Sequence, residues 1–219
     1  RVQNTKRDSL VLDFFSGSGT TAEAVMRLNS EDDGNRHYIL VQAREETDTT
    51  SVAYKDGYQT ICDIGEERIR RAGKKIKEEK NSDIDYGFRC FKVDSSNMKD
   101  VYYAPADVEQ LSLDSFEDNI KEDRTPEDLL IQVMLDLGIL LSSDIETKNV
   151  AGQKVFSVAD SYLLACFDED VTEETVTEIA KKKPFYAVFR DNSMANDSVA
   201  ANFEQIFETY SPETIRKVL

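Results

Sequence analysis

The chain has 219 residues, is 40% hydrophobic and carries a formal net charge of −16, with 27 Lys and Arg against 43 Asp and Glu. That length buries one large core or two small ones, and the absence of an apolar run of about 18 residues excludes a spanning helix. The charge is uneven. Residues 1–80 hold 14 cationic and 15 anionic side chains, whereas residues 81–219 hold 13 and 28. Nucleic-acid phosphates repel so acidic a surface, so the C-terminal part is not expected to be a main DNA contact. Its charge reads as solvated surface or as a face for a docking partner. Cys62, Cys90 and Cys166 are far apart and odd in number, which suggests buried thiols in a reducing cytosol, not a disulfide framework or a zinc site.

Residues 1–8 are polar, lack a start methionine and read as the cut end of a longer protein. Ser9 to Phe15 is a run of β-formers with one charge, the pattern of a strand buried on both faces of a parallel sheet. Gly17 and Gly19 break it. A helix follows from about Thr20 to Leu28, with a threonine hydroxyl available as N-cap. Strand, glycine turn and helix start in succession form a ligand loop, because glycine admits close approach and the helix end offers free N–H groups. The turn at Ser30 to Gly34 and a second strand, Arg36 to Gln42, complete a strand–helix–strand unit with short connections, which implies a parallel sheet.

Gly17-x-Gly19-x-x-Ala22 fits the dinucleotide fingerprint, whose third position accepts alanine. No Gly-Lys-Ser/Thr follows, so it is not a phosphate loop of the nucleotide-hydrolase kind. Asp13, just ahead of the glycines, discriminates between cofactors. A pyrophosphate gains nothing from a neighbouring carboxylate, whereas S-adenosylmethionine, with its ammonium and sulfonium, does. An acid at the end of the second strand commonly takes the ribose hydroxyls. Here Gln42 stands there, with Glu45 and Glu46 beyond it. Gln42 is read as a ribose ligand through its amide, or as a strand-end polar group without one. His37, the one histidine, has no second histidine or acid at ligand spacing and reads as a surface residue, and with it go Ser/His/Asp and Cys/His chemistry, which need an imidazole base.

Residues 43–58 read as a loop. Ile61, Ile64, Ile69, Ala72 and Ile76 then recur at helical spacing through a basic segment, Arg68 to Lys80. Its cations are read as paired with Glu66, Glu67, Glu78 and Glu79, or as a contact to a DNA backbone. Tyr86 to Val93 alternates and predicts a third strand, ended by Asp94, which could accept from a cofactor's adenine amino group. Residues 95–124 are acidic and irregular. Thr125-Pro126-Glu127-Asp128 opens a helix to about Leu141. A hairpin turns at Ala151-Gly152-Gln153, with a strand ending near Val158 and another over Ser161 to Phe167. Helix Thr172–Lys182, strand Phe185–Phe189, helix Val199–Thr209 and a last short helix from Ser211 follow, giving a small α/β domain without a catalytic constellation.

Asp13-Phe14-Phe15-Ser16-Gly17-Ser18-Gly19-Thr20-Thr21 resembles motif I of the amino-methylating DNA methyltransferases. The wider run Leu10 to Gln42, with Gly65 to Ala72, Gly87 to Asn97 and Phe189-Arg190-Asp191, is similar to the modification subunit of type III restriction-modification systems. These are adenine-N6 DNA methyltransferases of the permuted class. The resemblance implies part of a doubly wound Rossmann-like sheet over residues 1–94, then an acidic α/β domain over 95–219. It also implies S-adenosylmethionine held by Asp13, Phe14, Phe15, Ser16, Gly17, Ser18, Gly19, Thr20, Thr21 and Gln42, with a cytoplasmic location. The implied partners are DNA through the full-length protein, a second modification subunit and a restriction subunit. Such enzymes extrude the base and hold it against Asp/Asn/Ser-Pro-Pro-aromatic. The four prolines here fit no such segment; Lys183-Pro184-Phe185-Tyr186 lacks the acceptor and the second proline. The chain is therefore expected to hold the methyl-donor loop and no catalytic residue, and to be inactive alone. A non-catalytic assembly module is the competing reading. A dinucleotide-binding domain of the NAD type is the remote one.

Overall fold

The computed structural model describes residues 4–99, 119–191 and 193–219, which fall into two compact units, one up to Lys92 and one from Val93. Most of the stretch expected to be irregular, residues 100–118, lies outside the described residues.

In the first unit, β1 (Leu10–Asp13) pairs in parallel with β2 (His37–Leu40), Leu10 opposite His37 and Asp13 opposite Leu40. The connecting helix α1 (Thr20–Asp32) runs past the expected Leu28. It stops where Asp33 turns left-handed, at φ 54°. There the buried Arg36 folds back to donate to Asp32 (2.8 Å) and Asn29, while the Asn29 amide bonds both the N–H and the carbonyl of Arg36. The region expected to be loop contains a single helical turn, α2 (Val52–Lys55). α3 (Ile61–Lys80) starts on a reciprocal cap in which the Thr60 hydroxyl accepts from Asp63 N and the Asp63 carboxylate accepts from Thr60 N. Ala22 and Met26 of α1 and Ile69, Ala72 and Ile76 of α3 form the core, with Tyr38 and Leu40 of β2 against it.

Two expectations fail here. The first strand was expected to be buried on both faces, yet Leu10 and Leu12 are 62% and 50% exposed, and Ile39 and Val41 beside them are also exposed. Helices cover one face of the β1–β2 pair. An apolar run records that both faces suit burial and not that the same chain supplies both covers. Tyr86 to Val93 is also not a strand: no described strand lies between α3 and α4. Ile84, Tyr86 and Phe88 pack instead on the α1–α3 core. The described residues of this unit thus contain a parallel pair with helices, not a doubly wound sheet.

The second unit is a mixed sheet between helices. α4 (Pro126–Asp136) opens on the expected Thr125–Asp128 box and ends before Gly138, at φ 68°, short of the expected Leu141. β3 (Ile145–Val150), β4 (Gln153–Val158) and β5 (Leu163–Cys166) form an antiparallel meander. Its first hairpin turns through Ala151 and Gly152, both at positive φ. α5 (Glu173–Lys181), β6 (Tyr186–Phe189), α6 (Asp197–Tyr210) and β7 (Ile215–Val218) follow, with β5, β6 and β7 parallel. The segment expected to be a last helix is thus the edge strand β7. Central strands alternate between two cores. Leu164, Cys166, Ala187 and Phe189 face α5 and α6, whereas Leu163, Ala165 and Val188 face α4. Of the three thiols expected to be buried, only Cys166 is; Cys62 is half-buried and Cys90 exposed.

Candidate ligand loop

β1 delivers Asp13 to its C-terminal end, and the chain turns at once. The ladder with β2 continues into the turn: Val41 N donates to Asp13 O (2.8 Å) and Ser16 N to Val41 O (3.3 Å). Gly17 and Gly19 take φ of 52° and 73°, which side chains rarely adopt. Gly19 N closes the turn on Ser16 O at 2.9 Å. Gly19 is itself the N-cap of α1, with no side-chain cap, so the expected threonine cap is absent. A β-branched residue does not take the left-handed conformation needed at that point. The Thr21 hydroxyl instead donates to Asp13 Oδ2 at 2.5 Å. That bond fixes the carboxylate beside the glycines and leaves the first N–H groups of α1 without a side-chain partner.

α3 forms the back of the loop. A Cβ on Gly65 would lie 3.2 Å from Gly17 O, with Ser18 C and Gly19 N next nearest. Ile69 sits where a Cβ on Gly19 would go. Arg68 Nη1 donates to Ser18 Oγ (3.1 Å) and its Nη2 to Glu23 Oε2 (3.2 Å). Partial burial raises the Glu23 carboxyl pKa, but hydrogen bonds from Arg27 and Arg68 outweigh it and hold the group below its usual range. Gly65 and Arg68 were not read from sequence as parts of this loop. Their only signal was their place in the similar stretch Gly65 to Ala72.

The structure brings Asp13, Ser16, Gly17, Ser18, Gly19, Thr21 and Gln42 together. Gln42 Oε1 accepts from Gly17 N at 2.8 Å, and its Nε2 donates to Ala43 O at 3.0 Å. Phe14, Phe15 and Thr20 are exposed beside them. Glu45 and Glu46 are exposed further on, where Glu46 bridges to Thr60. Asp94, in the second unit, pairs with Arg124 at 3.8 Å. His37 is exposed, and no group of His, Cys, Asp or Glu that could hold a metal occurs among the described residues.

A groove of about 360 Å³ runs along α3, lined by Glu23, Tyr58, Ile64, Arg68, Arg71 and Lys75 among others, and by no residue of the glycine turn. Among the described residues, four of the helix's cations form ion pairs: Arg68 with Glu23, Arg70 with Glu66, Arg71 with Glu67 and Lys75 with Glu79. The salt-paired reading of this basic face therefore fits the geometry at Glu66, Glu67 and Glu79. None of the described helices is long and apolar enough to cross a membrane.

A family model for DNA methylases matches residues 3–83, the stretch that holds the loop and its support. The chain is similar to the Mod subunit of the type III restriction-modification enzyme EcoPI of Escherichia phage P1, 34% identical over 81% of this chain and 27% of the relative. It is also similar to the EcoP15I Mod subunit of Escherichia coli, 35% identical over 67% of this chain and 21% of the relative. A shorter stretch, 29% of the chain, is 48% identical to the type II methyltransferase M.KpnI of Klebsiella pneumoniae, covering 15% of it. The chain thus spans about a quarter or less of the length of these curated relatives.

Proposed function

The chain is homologous over most of its length to the modification subunits of type III restriction-modification enzymes, and from that premise we propose that it is the S-adenosylmethionine-binding and C-terminal portion of a DNA adenine-N6 methyltransferase. Residues 1–94 carry the cofactor and residues 95–219 form the acidic α/β domain. One observation supports this most directly: a carboxylate fixed by Thr21 stands beside two left-handed glycines and a helix start with no side-chain cap. That donor set suits an amino acid. Asp13 meets the α-ammonium, and the N–H groups of α1 meet the α-carboxylate. A pyrophosphate would find the same N–H groups but be repelled by Asp13, which disfavours the NAD-type reading.

When bound, S-adenosylmethionine supplies a methyl group activated by its sulfonium. The residues here bind and orient it. Gly17 and Gly19 allow close approach, Ser16, Ser18 and Thr20 offer polar contacts, and Phe14 and Phe15 give apolar cover. No Asp/Asn/Ser-Pro-Pro-aromatic segment occurs in the chain, so holding the extruded adenine falls to residues outside this sequence. The chain alone is then inactive. In the whole protein, working in the cytoplasm, DNA, a second modification subunit and a restriction subunit complete the assembly. The acidic domain is offered to protein partners and not to DNA.

Titration calorimetry of the 219-residue chain with S-adenosylmethionine, and with NAD as control, tests this reading. Saturable binding of S-adenosylmethionine that disappears in Asp13→Ala, with none of NAD, is expected. Binding of NAD alone overturns it.

A further inference from the structure

Gln42 lies just beyond the last paired residue of β2, yet the ladder between the two strands does not end there. Val41 N bonds Asp13 O, and Ser16 N bonds Val41 O. The next rung is a side chain: Gln42 Oε1 accepts from Gly17 N at 2.8 Å. The other end of the same amide is also engaged, Nε2 donating to Ala43 O at 3.0 Å. The next peptide group, Gly17 to Ser18, rests on α3, where the Gly17 carbonyl oxygen would be 3.2 Å from a Cβ on Gly65. Gly17 is therefore gripped on both sides at the point where the backbone turns left-handed.

We infer that Gln42 is a positioning residue: its amide carbonyl latches the Gly17 N–H, presetting the glycine loop for the cofactor, and does not bind the cofactor's ribose. This rests on the cofactor reading above for its function, but the latch itself is independent of any ligand. An amide suits the role. Its carbonyl replaces a missing backbone acceptor, its N–H₂ end ties it to the adjacent peptide, and it adds no charge near the loop. A loop held in its bound shape loses less conformational freedom on binding, which is where the gain in affinity arises.

The test compares the parent chain with Gln42→Met, which removes the acceptor at similar volume, and Gln42→Glu, which keeps an acceptor. Amide hydrogen exchange at Gly17 is followed by NMR without ligand, and S-adenosylmethionine affinity by calorimetry. In Gln42→Met, Gly17 exchange should accelerate about tenfold and affinity fall about tenfold, the size of one hydrogen bond of about 1.4 kcal/mol. Gln42→Glu should stay near the parent in both, and Gln42→Met should remain folded with a thermal midpoint only a few degrees lower. A scalar coupling across the bond from the Gly17 nitrogen to the Gln42 side-chain carbonyl carbon should appear in the parent, a readout that needs no variant to fold. Its absence, or unchanged Gly17 exchange in Gln42→Met, overturns the latch. Faster exchange with unchanged affinity overturns its function. Affinity lost in Gln42→Glu while Gly17 stays protected overturns the positioning role in favour of direct cofactor contact. A parent chain that binds no S-adenosylmethionine defeats the cofactor reading, and the coupling and exchange still decide the latch.

Discussion

Gly65 has no side chain, and this lets the glycine loop lie against α3. The atoms that an added Cβ would meet are all backbone: Gly17 O at 3.2 Å, Ser18 C at 3.8 Å and Gly19 N at 3.9 Å. Backbone cannot swing away as a long side chain can, so Gly65→Ala must displace the loop by a few tenths of an ångström. The same substitution favours the helix by about 1 kcal/mol, since alanine loses less backbone freedom there. The two effects act on different observables. Melting temperature is expected to stay near that of the parent, while S-adenosylmethionine affinity falls about tenfold, the scale of one misplaced hydrogen bond. Calorimetry beside thermal melting separates them. Arg68 acts from the same helix, holding Ser18 Oγ. Neither residue could be assigned to the loop from sequence, because they stand far along the chain from it and only packing brings them there. Asp13 and the two glycines, by contrast, were legible, since the whole turn is written in consecutive residues.

Helix starts were the most legible elements. Thr125-Pro126-Glu127-Asp128 carries its own instructions, and the structure shows the hydroxyl accepting from Asp128 N (3.2 Å) and the carboxylate accepting from Thr125 N (2.8 Å). Thr125→Ala should therefore cost the second unit about 1 kcal/mol, read from denaturant unfolding. Helix ends were less legible. α4 stops at Gly138 although apolar residues continue to Leu141, and α1 continues until Arg36 closes on Asp32 and Asn29. The alternation of Tyr86 to Val93 does reflect one-sided burial as far as Phe88, beyond which residues 89–93 are all exposed, but the cover is a helix. The Tyr86 carbonyl lies against Gly73, Lys77 stands over the Tyr86 ring, and Arg70 over Phe88. A period of two reports a face and is silent about a ladder partner. β7 failed in the opposite direction. Ile215-Arg216-Lys217-Val218 has weak strand character, and its parallel pairing with β6 supplies what its composition lacks.

For the whole molecule, each unit has its own apolar clusters, one built on α1 and α3 and two flanking the mixed sheet. Two unfolding transitions are the expected outcome, and alkali should distinguish them. Burial pushes the Cys166 thiol from 9.0 up to about 11. Unfolded, that thiol ionises near its ordinary value, so between the two values the unfolded chain binds fewer protons. The share of the second unit's stability linked to Cys166 is then constant below pH 9 and falls from there to about 11, by up to roughly 1.4 kcal/mol per pH unit. In the first unit the Tyr38 phenol, whose oxygen is buried without a partner, is pushed from 10.0 to about 12 by burial and by the charge of Asp85. That unit loses its share later, from pH 10 upward. Melting curves across the alkaline range should show the second transition falling from about pH 9, and Cys166→Ala should flatten that early slope.

The uncovered face of the β1–β2 pair also bears on how the chain behaves in a tube. Leu10, Leu12 and Ile39 are exposed on two short parallel strands and Phe14 and Val41 just beyond their ends, and neither strand has a further partner among the described residues. Open strand edges beside apolar side chains are templates for edge-to-edge association. The net charge of −16 opposes this, but it is concentrated in residues 81–219, leaving the stretch that contains these strands nearly neutral. Salt, which screens the acidic repulsion at long range, should therefore promote clumping of the isolated chain through its loop-bearing end. Colloidal stability then depends on the exposed apolar side chains of this one strand pair.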